Sequence, residues 1–407
     1  MKILHTVESY LPSRHGMQEV VTQLSEKLVS MGHEVTVATS FDASRRFNDI
    51  NGVKIADFKI SGNFVSGMKG DTGLYQDFLR SGNFDIITNF AAQQWATDLT
   101  LPVLKEIRAK KVFVPTGFSA LNLPAYKLYF EKMKSWMKEY DATIFLAENY
   151  RDINFAKANG VKTTEIIPNG ANELEFKNTA PVDIRKLLGV SSSAILILTV
   201  GNHTGFKGHA EAMKIFNKAK IDNSLLLLIG QPVNTNTPVV NFIKEIINIV
   251  GLKKTNCSIN CKINAVKFNA SSGNRSIMVK EFDRSTTINA FRQADLFLFP
   301  SLFECSPIVL FESLAGSTPF LVSDVGNAKE IIEWTGGGKL LPTIIDNNGF
   351  SRVKINESAT MMKALLKNKP ELAGLARAGN EAVLGKFTWS KITRRYEDLY
   401  LQLHGED

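Results

Sequence analysis

The hydrophobic pattern alternates between short, almost wholly apolar runs and longer segments with apolar residues at helical spacing. The first apolar run covers residues 2–7, and the first helical pattern extends from Val20 to Met31 before Gly32. Similar strand patterns recur at residues 34–39, 85–88, 111–115, 142–147 and 164–167. This alternation is typical of a parallel sheet covered by helices on both faces.

The alternation of strand and helix patterns is interrupted by a turn over residues 168–170 and a polar stretch, and it resumes after them. An apolar strand is predicted over 194–201 and a helix near 209–220. Further strands are predicted at 225–229, 296–300 and 320–322. The pattern therefore predicts an α/β protein with two doubly wound domains joined near residues 168–180.

Residues 232–278 interrupt this pattern with a segment rich in Asn, Ser, Thr and Lys. Cys257 and Cys261 lie in it, but no histidine or further cysteine pair is near them in the sequence. A metal site needs more ligands than this spacing supplies. We therefore expect an insertion with a helix around 239–250 and no metal.

Composition excludes several classes of protein. Hydrophobic residues make up 44% and charged residues 22% of the 407 residues, which excludes a disordered or fibrous chain. An odd number of cysteines, three, suits a reducing compartment. We find neither a signal-peptide pattern nor an apolar stretch that could span a membrane, so we expect a soluble cytoplasmic protein.

The formal net charge of +8 favours an anionic partner. The basic residues are not densely clustered, so we do not expect nucleic acid. The sequence also lacks G-x-G-x-x-G, the P-loop pattern and an Asp-x-Asp pair. A diphosphate would then be bound by backbone amides and basic side chains, without a metal.

The most informative stretch follows the apolar strand that ends at Pro300. Ser306 suits an N-cap and Pro307 the first position of a helix. The amides of Ile308 and Val309 would then be free at the helix start, where hydrogen-bond donors and the helix dipole together favour a diphosphate.

Two acids and a lysine accompany this helix. Glu304 precedes it and Glu312 lies on its second turn, where each could accept hydrogen bonds from sugar or ribose hydroxyls. Lys207 lies between Gly201 and Gly208 in a loop after a buried strand, where a cation could meet phosphates. The alternative is a set of solvated surface charges.

These elements together resemble glycosyltransferase family 4, a group of retaining enzymes with the GT-B fold. In that fold two doubly wound Rossmann-like domains face each other across a cleft. The matching motifs are Tyr10-Leu11-Pro12 with Gly16, Gly32-His33-Glu34-Val35, Pro168-Asn169-Gly170, Gly201 to Gly208, Glu304-x7-Glu312 and Phe387-Thr388-Trp389-Ser390.

The resemblance implies an acceptor-side domain over 1–168, with a last helix at about 388–407 that packs back on it, and a nucleotide-sugar-binding domain over 169–387. It implies transfer of a hexose-type sugar from a nucleotide-diphosphate sugar to a glycan or lipid-linked acceptor, in cell-surface polysaccharide or lipopolysaccharide biosynthesis. No cofactor and no metal are expected.

Roles for single residues follow from the same resemblance. Glu304 would contact donor-sugar hydroxyls, Glu312 the ribose hydroxyls, and Lys207 the leaving diphosphate. Gly16 would let the backbone approach the donor, and Thr116 stands where the family often has a catalytic histidine. The other implied substrate-binding residues are His15, Asn169, Gly201, Asn202, His203, Cys305, Ser306, Pro307, Ile308 and Val309.

The sequence departs from the family pattern in the phosphate loop and near the first helix. Asn202 replaces a usual arginine, so Lys207 carries more of the charge, with His203 as a second candidate. His15 replaces the first of two usual glycines. A catalytically inactive nucleotide-sugar-binding protein is therefore one alternative function, and an enzyme acting on a small soluble sugar or sugar phosphate is another.

Residues 125–140 predict a helix rich in lysine and aromatic residues. Its lysines can share one side, with Tyr126, Phe130, Met133 and Met137 on the other. Such a helix could lie on an anionic membrane at the inner face, which would suit a lipid-linked acceptor. The alternative is a helix that packs on its own domain.

Overall fold

The computed structural model describes residues 1–13, 16–162, 164–232 and 257–405. The chain divides into two compact units: Met1–Asn169 with Trp389–Asp407, and Gly170–Thr388. His15 and the helix predicted around 239–250 lie outside the described residues.

The first unit is built on a sheet in the order β10-β9-β8-β7-β1-β2-β4-β3. Its strands are β1 (Lys2–Thr6), β2 (Glu34–Ser40), β3 (Asp49–Ile50), β4 (Val53–Phe58), β5 (Ile60–Asn63), β6 (Gly67–Gly70), β7 (Ile86–Phe90), β8 (Lys110–Val114), β9 (Ala142–Phe145) and β10 (Thr164–Ile166). Strands β5 and β6 form a separate hairpin, and β3 pairs antiparallel to β4. The other ladders are parallel.

Helices connect these strands. They are α1 (Gly16–Ser30), α2 (Thr72–Ser81), α3 (Trp95–Asp98), α4 (Lys127–Trp136) and α5 (Arg151–Ala158), with short 3-10 helices at Leu101–Glu106, Pro124–Tyr126 and Met137–Glu139. The predicted strands of this unit are confirmed to within two residues. Strands β3 to β6 and helix α2 were not predicted. The strands are short and carry several exposed residues, so no apolar run marks them.

The segment predicted as one helix over 125–140 is broken into two 3-10 turns and α4. Its apolar side chains, including Phe130 and Met133, are buried in the core of the unit beside Phe118 and Phe145. The prediction that this apolar face lies on a membrane is therefore wrong, because the face already packs against its own domain. Lys127 and Lys138 remain exposed.

The second unit has a six-stranded parallel sheet in the order β13-β12-β11-β14-β15-β16 and a hairpin of β17 and β18. Its strands are β11 (Ile195–Val200), β12 (Ser224–Ile229), β13 (Arg275–Lys280), β14 (Leu296–Phe299), β15 (Phe320–Val322), β16 (Gly338–Leu340), β17 (Thr343–Ile345) and β18 (Ser351–Val353). Leu196 and Leu198 join one core cluster while Ile197 joins another. Both faces of the sheet are therefore buried, as a doubly wound fold requires.

The helices around this sheet are α6 (Glu173–Asn178), α7 (Ile184–Leu187), α8 (His209–Ala219), α9 (Cys257–Asn269), α10 (Arg284–Gln293), α11 (Ile308–Ala315), α12 (Ala328–Thr335), α13 (Ile355–Lys367) and α14 (Lys369–Lys386). Helix α9 leads into β13, which pairs in parallel with β12 from Ser224 opposite Arg275 onward. The insertion predicted over 232–278 is therefore wrong for residues 257–278, which form a regular crossover and an edge strand.

The last helix, α15 (Trp389–Gly405), belongs to the first unit. Its buried Glu397 carboxylate lies 2.8 Å from the Nε2 atom of His33. The hydroxyl groups of Tyr400 and Thr88 lie 2.6 Å apart in the core. The end of the chain thus completes the core around the first sheet. Among the described residues, no helix is both long and apolar enough to cross a membrane.

Candidate functional site

The sheet order of the second unit marks one position for a ligand. The chain runs outward from β11 to β13 on one side and from β14 to β16 on the other. Loops that follow the two central strands of such a sheet diverge and leave a crevice at the strand ends. The loop after β11 carries Lys207 and the loop after β14 carries Glu304.

Lys207 and Glu304 form an ion pair at this position. The Nζ atom of Lys207 lies 2.7 and 2.9 Å from the two carboxylate oxygens of Glu304. The hydroxyl group of Ser301 donates to Oε1 of Glu304 at 2.7 Å. The Lys207 side chain is 29% exposed and that of Glu304 is 10% exposed. Both charged groups are thus held in place while the lysine stays accessible.

Close backbone contacts hold the two loops together. The amide of Leu302 donates to the carbonyl of Phe206 at 2.7 Å. Gly208 has a φ of +71°, and a Cβ atom on it would lie 1.9 Å from the carbonyl oxygen of Pro300. A Cβ atom on Gly201 would lie 3.1 Å from the Lys207 side chain, which crosses this glycine. Glycine at 201 and 208 therefore lets the loops approach.

Helix α11 starts beside this pair. Pro307 has extended backbone angles and occupies the N-cap position, and the helix begins at Ile308. The prediction that Ser306 is the N-cap and Pro307 the first helical residue is therefore wrong by one position, because Pro307 is the residue whose backbone leaves the helical region. The first amides, those of Ile308 and Val309, have no partner inside the helix, as at any helix start.

Glu312 is buried on the next turn and is paired with an arginine. Its Oε1 atom lies 2.6 Å from Nη1 of Arg284, and its side chain is 7% exposed. Arg284 also donates from Nη2 to Glu175 at 2.7 Å. Arg284 therefore lies between two carboxylates at the start of helix α10. Sequence reasoning missed this pairing, because the two residues belong to different helices, and only the fold brings them together.

Other predicted site residues of the second unit lie in the same two loops, those after β11 and β14. The side-chain oxygen of Asn202 accepts from the amide of Gln231 at 3.4 Å. The carbonyl of Cys305 accepts from the amide of Asn327 at 2.9 Å. His203 is buried, and its Nδ1 atom lies 3.6 Å from the sulfur of Cys257. Contacts of these residues with a donor stay predictions.

Gly16, Thr116 and Asn169 belong to the first unit. Gly16 begins α1, and a Cβ atom built on it meets nothing within 4 Å. Thr116 follows β8 with a φ of +59°, which is unusual for a residue with a β-branched side chain. Strand β7 pairs in parallel with both β1 and β8. The loop between β1 and α1 and the loop after β8 that carries Thr116 therefore leave the same edge of the sheet. Asn169 is buried and is the last residue of the unit's first segment.

Two acids near the end of β1 were missed by the sequence reasoning. Burial raises the pKa of Asp98 to about 7, although its carboxylate accepts from the amide of Phe64 and the hydroxyl of Tyr129. Burial and the neighbouring Asp98 raise the pKa of Glu8 to about 7. Sequence gives no signal for this, because the two acids are distant along the chain.

The second unit also matches a known family. Residues 183–344 match the family model described as glycosyl transferases group 1. This segment is therefore similar in sequence to glycosyl transferases group 1. It contains the loops of Lys207 and Glu304 and helix α11. No curated protein sequence matches the chain.

The fold is GT-B, as in several solved glycosyltransferases. Sucrose-phosphate synthase from Thermosynechococcus elongatus is 17% identical with a TM-score of 0.73, and all of both chains is covered. WaaG, a glycosyltransferase involved in lipopolysaccharide biosynthesis, is 16% identical with a TM-score of 0.64 over 98% of this chain and 99% of that one. Anabaena HepE in complex with UDP-glucose is 13% identical with a TM-score of 0.69 over 99% of this chain and 100% of that one.

Proposed function

We propose that this protein is a retaining glycosyltransferase of family 4. It transfers a hexose-type sugar from a nucleotide-diphosphate sugar to a glycan or lipid-linked acceptor, in cell-surface polysaccharide or lipopolysaccharide biosynthesis. The observation that carries the proposal is the Lys207–Glu304 pair at the central strand ends, beside the start of α11 and inside the matched segment. The UDP and UDP-glucose in the HepE structures support a nucleotide-sugar donor.

The diphosphate is held by Lys207 and the start of α11. A lysine ammonium has three donors, and the two oxygens of Glu304 engage two of them. The third can meet a phosphate oxygen. The amides of Ile308 and Val309 add further donors and the positive end of the helix dipole, whereas Pro307 has no amide hydrogen to donate. This arrangement stabilises the negative charge that grows on the leaving diphosphate, with no metal required.

The two glutamates hold the sugar and the ribose. Glu304 accepts from donor-sugar hydroxyls, and its fixed contacts with Lys207 and Ser301 orient it before the donor arrives. Glu312 accepts from the ribose hydroxyls, with Arg284 keeping its carboxylate in position. Carboxylates suit hydroxyl groups and repel phosphates, so each acid serves the neutral parts of the donor.

Retention follows when the acceptor attacks on the face that the diphosphate leaves. The bond from the anomeric carbon to the diphosphate breaks and a bond to the acceptor oxygen forms. The acceptor proton moves to a diphosphate oxygen, so a separate protein base is not needed. We propose that the first unit binds the acceptor, with Thr116 contributing a hydroxyl and Gly16 leaving room for the donor.

Donor binding and turnover test the proposal. UDP-, GDP- and ADP-sugars are titrated by calorimetry, and transfer is followed by chromatography with glycan, lipid-linked and sugar-phosphate acceptors. Lys207→Ala should lower turnover by about 100-fold or more, the loss typical of one preorganised donor. Lys329→Ala is the control, since Lys329 is an exposed lysine facing Glu333 in the same unit. Retention is read from the anomeric configuration of the product.

Other results of these experiments would support one of the two alternative functions or reject the proposed site. Transfer only to sugars or sugar phosphates identifies an enzyme with a soluble acceptor. Binding of a sugar nucleotide that is never cleaved identifies an inactive binding protein. Unchanged affinity and turnover in both Lys207→Ala and Glu304→Gln would overturn the proposed site.

A further inference from the structure

Four metal-binding side chains meet on one side of the loop that follows β11. They are His203 in that loop, His209 at the first position of α8, Cys257 at the first position of α9 and Cys261 one turn later. One potential ligand atom from each lies within 4.8 Å of those of the others. Cys257 is 54 residues from His203 and 48 from His209 in the sequence, which is why the cysteines seemed isolated there.

The distances within this cluster are those of a tetrahedral metal site. The sulfur of Cys257 lies 3.6 Å from Nδ1 of His203, 3.8 Å from Nδ1 of His209 and 3.9 Å from the sulfur of Cys261. A tetrahedral zinc ion with bonds of about 2.3 Å to sulfur and about 2.0 Å to nitrogen places sulfur about 3.6 Å from nitrogen and about 3.8 Å from a second sulfur.

Hydrogen bonding within the protein does not account for the cluster. His203, His209 and Cys261 are buried. The Nε2 atoms of both imidazoles have no hydrogen-bond partner among the described residues. One thiol proton on Cys257 can serve only one of the three ligand atoms around it. A metal ion bound by the two Nδ1 atoms and the two sulfurs engages all four of these ligand atoms at once.

Helix α9 is anchored near the cluster mainly by small side chains. Its buried residues are Ser258, Cys261 and Ala265, all of which are small. Ile259 and Val266 are exposed on the same helix. Near its other end, Phe268 packs on the core with its ring centroid 5.6 Å from that of Phe216. A metal bound by Cys257 and Cys261 would join the Cys257 end of the helix to the loop after β11.

We propose that His203, His209, Cys257 and Cys261 bind one structural Zn²⁺. Two thiolates and two imidazoles in a tetrahedron favour zinc over Mg²⁺ or Ca²⁺. On binding, both cysteine thiols lose their protons to solvent, and each histidine ligates through Nδ1 and keeps its proton on Nε2. All four positions are filled by protein, so the ion has a structural role and takes no part in sugar transfer.

The ion also fixes the loop that carries Lys207, since two of its ligands, His203 and His209, bracket that lysine. This consequence rests on the proposed function, whereas zinc binding itself does not. It assigns His203 to the metal, in place of the donor contact expected from the sequence. Removal of zinc should therefore weaken donor binding severalfold while Lys207 and Glu304 are unchanged.

The test measures metal in the full chain, purified without chelator and without a polyhistidine tag. Elemental analysis by inductively coupled plasma mass spectrometry should find about one zinc ion per chain, as for a closed structural site. Cys257→Ser with Cys261→Ser should lose it, and so should His209→Gln. The control variants Cys305→Ser and His404→Gln should keep it, because Cys305 and His404 lie outside the cluster.

A second measurement needs no variant. Zinc-depleted wild-type protein is titrated with Co²⁺, and tetrahedral cobalt with two thiolates should give intense visible bands that Zn²⁺ then abolishes. Absence of both zinc and the cobalt bands, or a disulfide between Cys257 and Cys261 in the purified protein, would overturn the metal site. Zinc binding without any sugar-nucleotide binding would leave the metal site standing and reject the donor site.

Discussion

The ammonium group of Lys207 lies 2.7 Å from the carboxylate of Glu304, although the two residues are 97 positions apart. They meet because β11 and β14 are neighbours in the sheet and their following loops leave the same edge. Sheet topology thus brings together the lysine that we propose binds phosphate and the glutamate that we propose accepts from sugar hydroxyls. The same relationship explains why substitutions that displace either loop should affect both charges.

Gly208→Ala adds only one methyl group, but it should displace the two loops that carry Lys207 and Glu304. A Cβ atom there overlaps the carbonyl oxygen of Pro300, and the φ of +71° disfavours any side chain. We expect a loss of more than about 2 kcal/mol in the free energy of unfolding, measured with urea. Gly205→Ala is the matched control, since Gly205 has a φ of +89° but nothing within 4 Å. Equal losses in the two variants would contradict the role of the close approach.

Arg284→Ala should destabilise the second unit, because it leaves the Glu312 carboxylate without its cationic partner. Glu312 is buried and would lose the partner 2.6 Å away. Since Arg284 itself is 27% exposed, we expect a loss of about 2 kcal/mol, less than for a fully buried pair. Adding Glu312→Gln should recover part of that loss, and a double-mutant cycle in urea measures the coupling. A coupling near zero would show that Glu312 does not depend on Arg284.

Gly16→Ala separates folding from donor binding. Because a Cβ atom on Gly16 meets nothing within 4 Å and the residue begins α1, the thermal unfolding temperature should stay the same or rise. If the backbone here approaches the donor, turnover should fall by about tenfold or more, a loss of about 1.4 kcal/mol. Gly73→Ala, at another helix start with open space around it, is the control. Unchanged turnover would reject the donor role of Gly16.

Stability should depend on pH through Asp98 and Glu8. The pKa of each is raised to about 7 in the folded chain, from about 4 when unfolded. Between these values the folded state binds protons that the unfolded state lacks, so the free energy of unfolding falls as pH rises from about 4 to 7. The slope is at most about 1.4 kcal/mol per pH unit for each group.

Asp98→Asn should flatten this dependence, because one of the two groups no longer titrates. Thermal unfolding at several pH values between 4.5 and 7.5 measures the slope. Asp77→Asn is the control, as Asp77 has a side chain that is 75% exposed. A slope identical to that of the wild type would show that Asp98 is already ionised across this range.

The sequence by itself determined the two doubly wound halves and the position of the key loops. Runs such as 195–200 are apolar except for Thr199 because both faces of the sheet are covered, and this burial is visible in the local pattern. Lys207 and Glu304 were identified because each lies in a loop after such a strand. Local signals were less accurate at the start of α11, where Pro307, one residue later than predicted, is the N-cap.

Tertiary structure decided everything that depends on residues distant in the chain. It placed Arg284 against Glu312 and raised the pKa of Asp98 by burial. It also turned the apolar side of the 125–140 segment into the core. It brought two histidines to Cys257 and Cys261 across about 50 residues. Sequence periodicity reports which face of an element is buried, but the partner that buries it is set only when the sheets assemble.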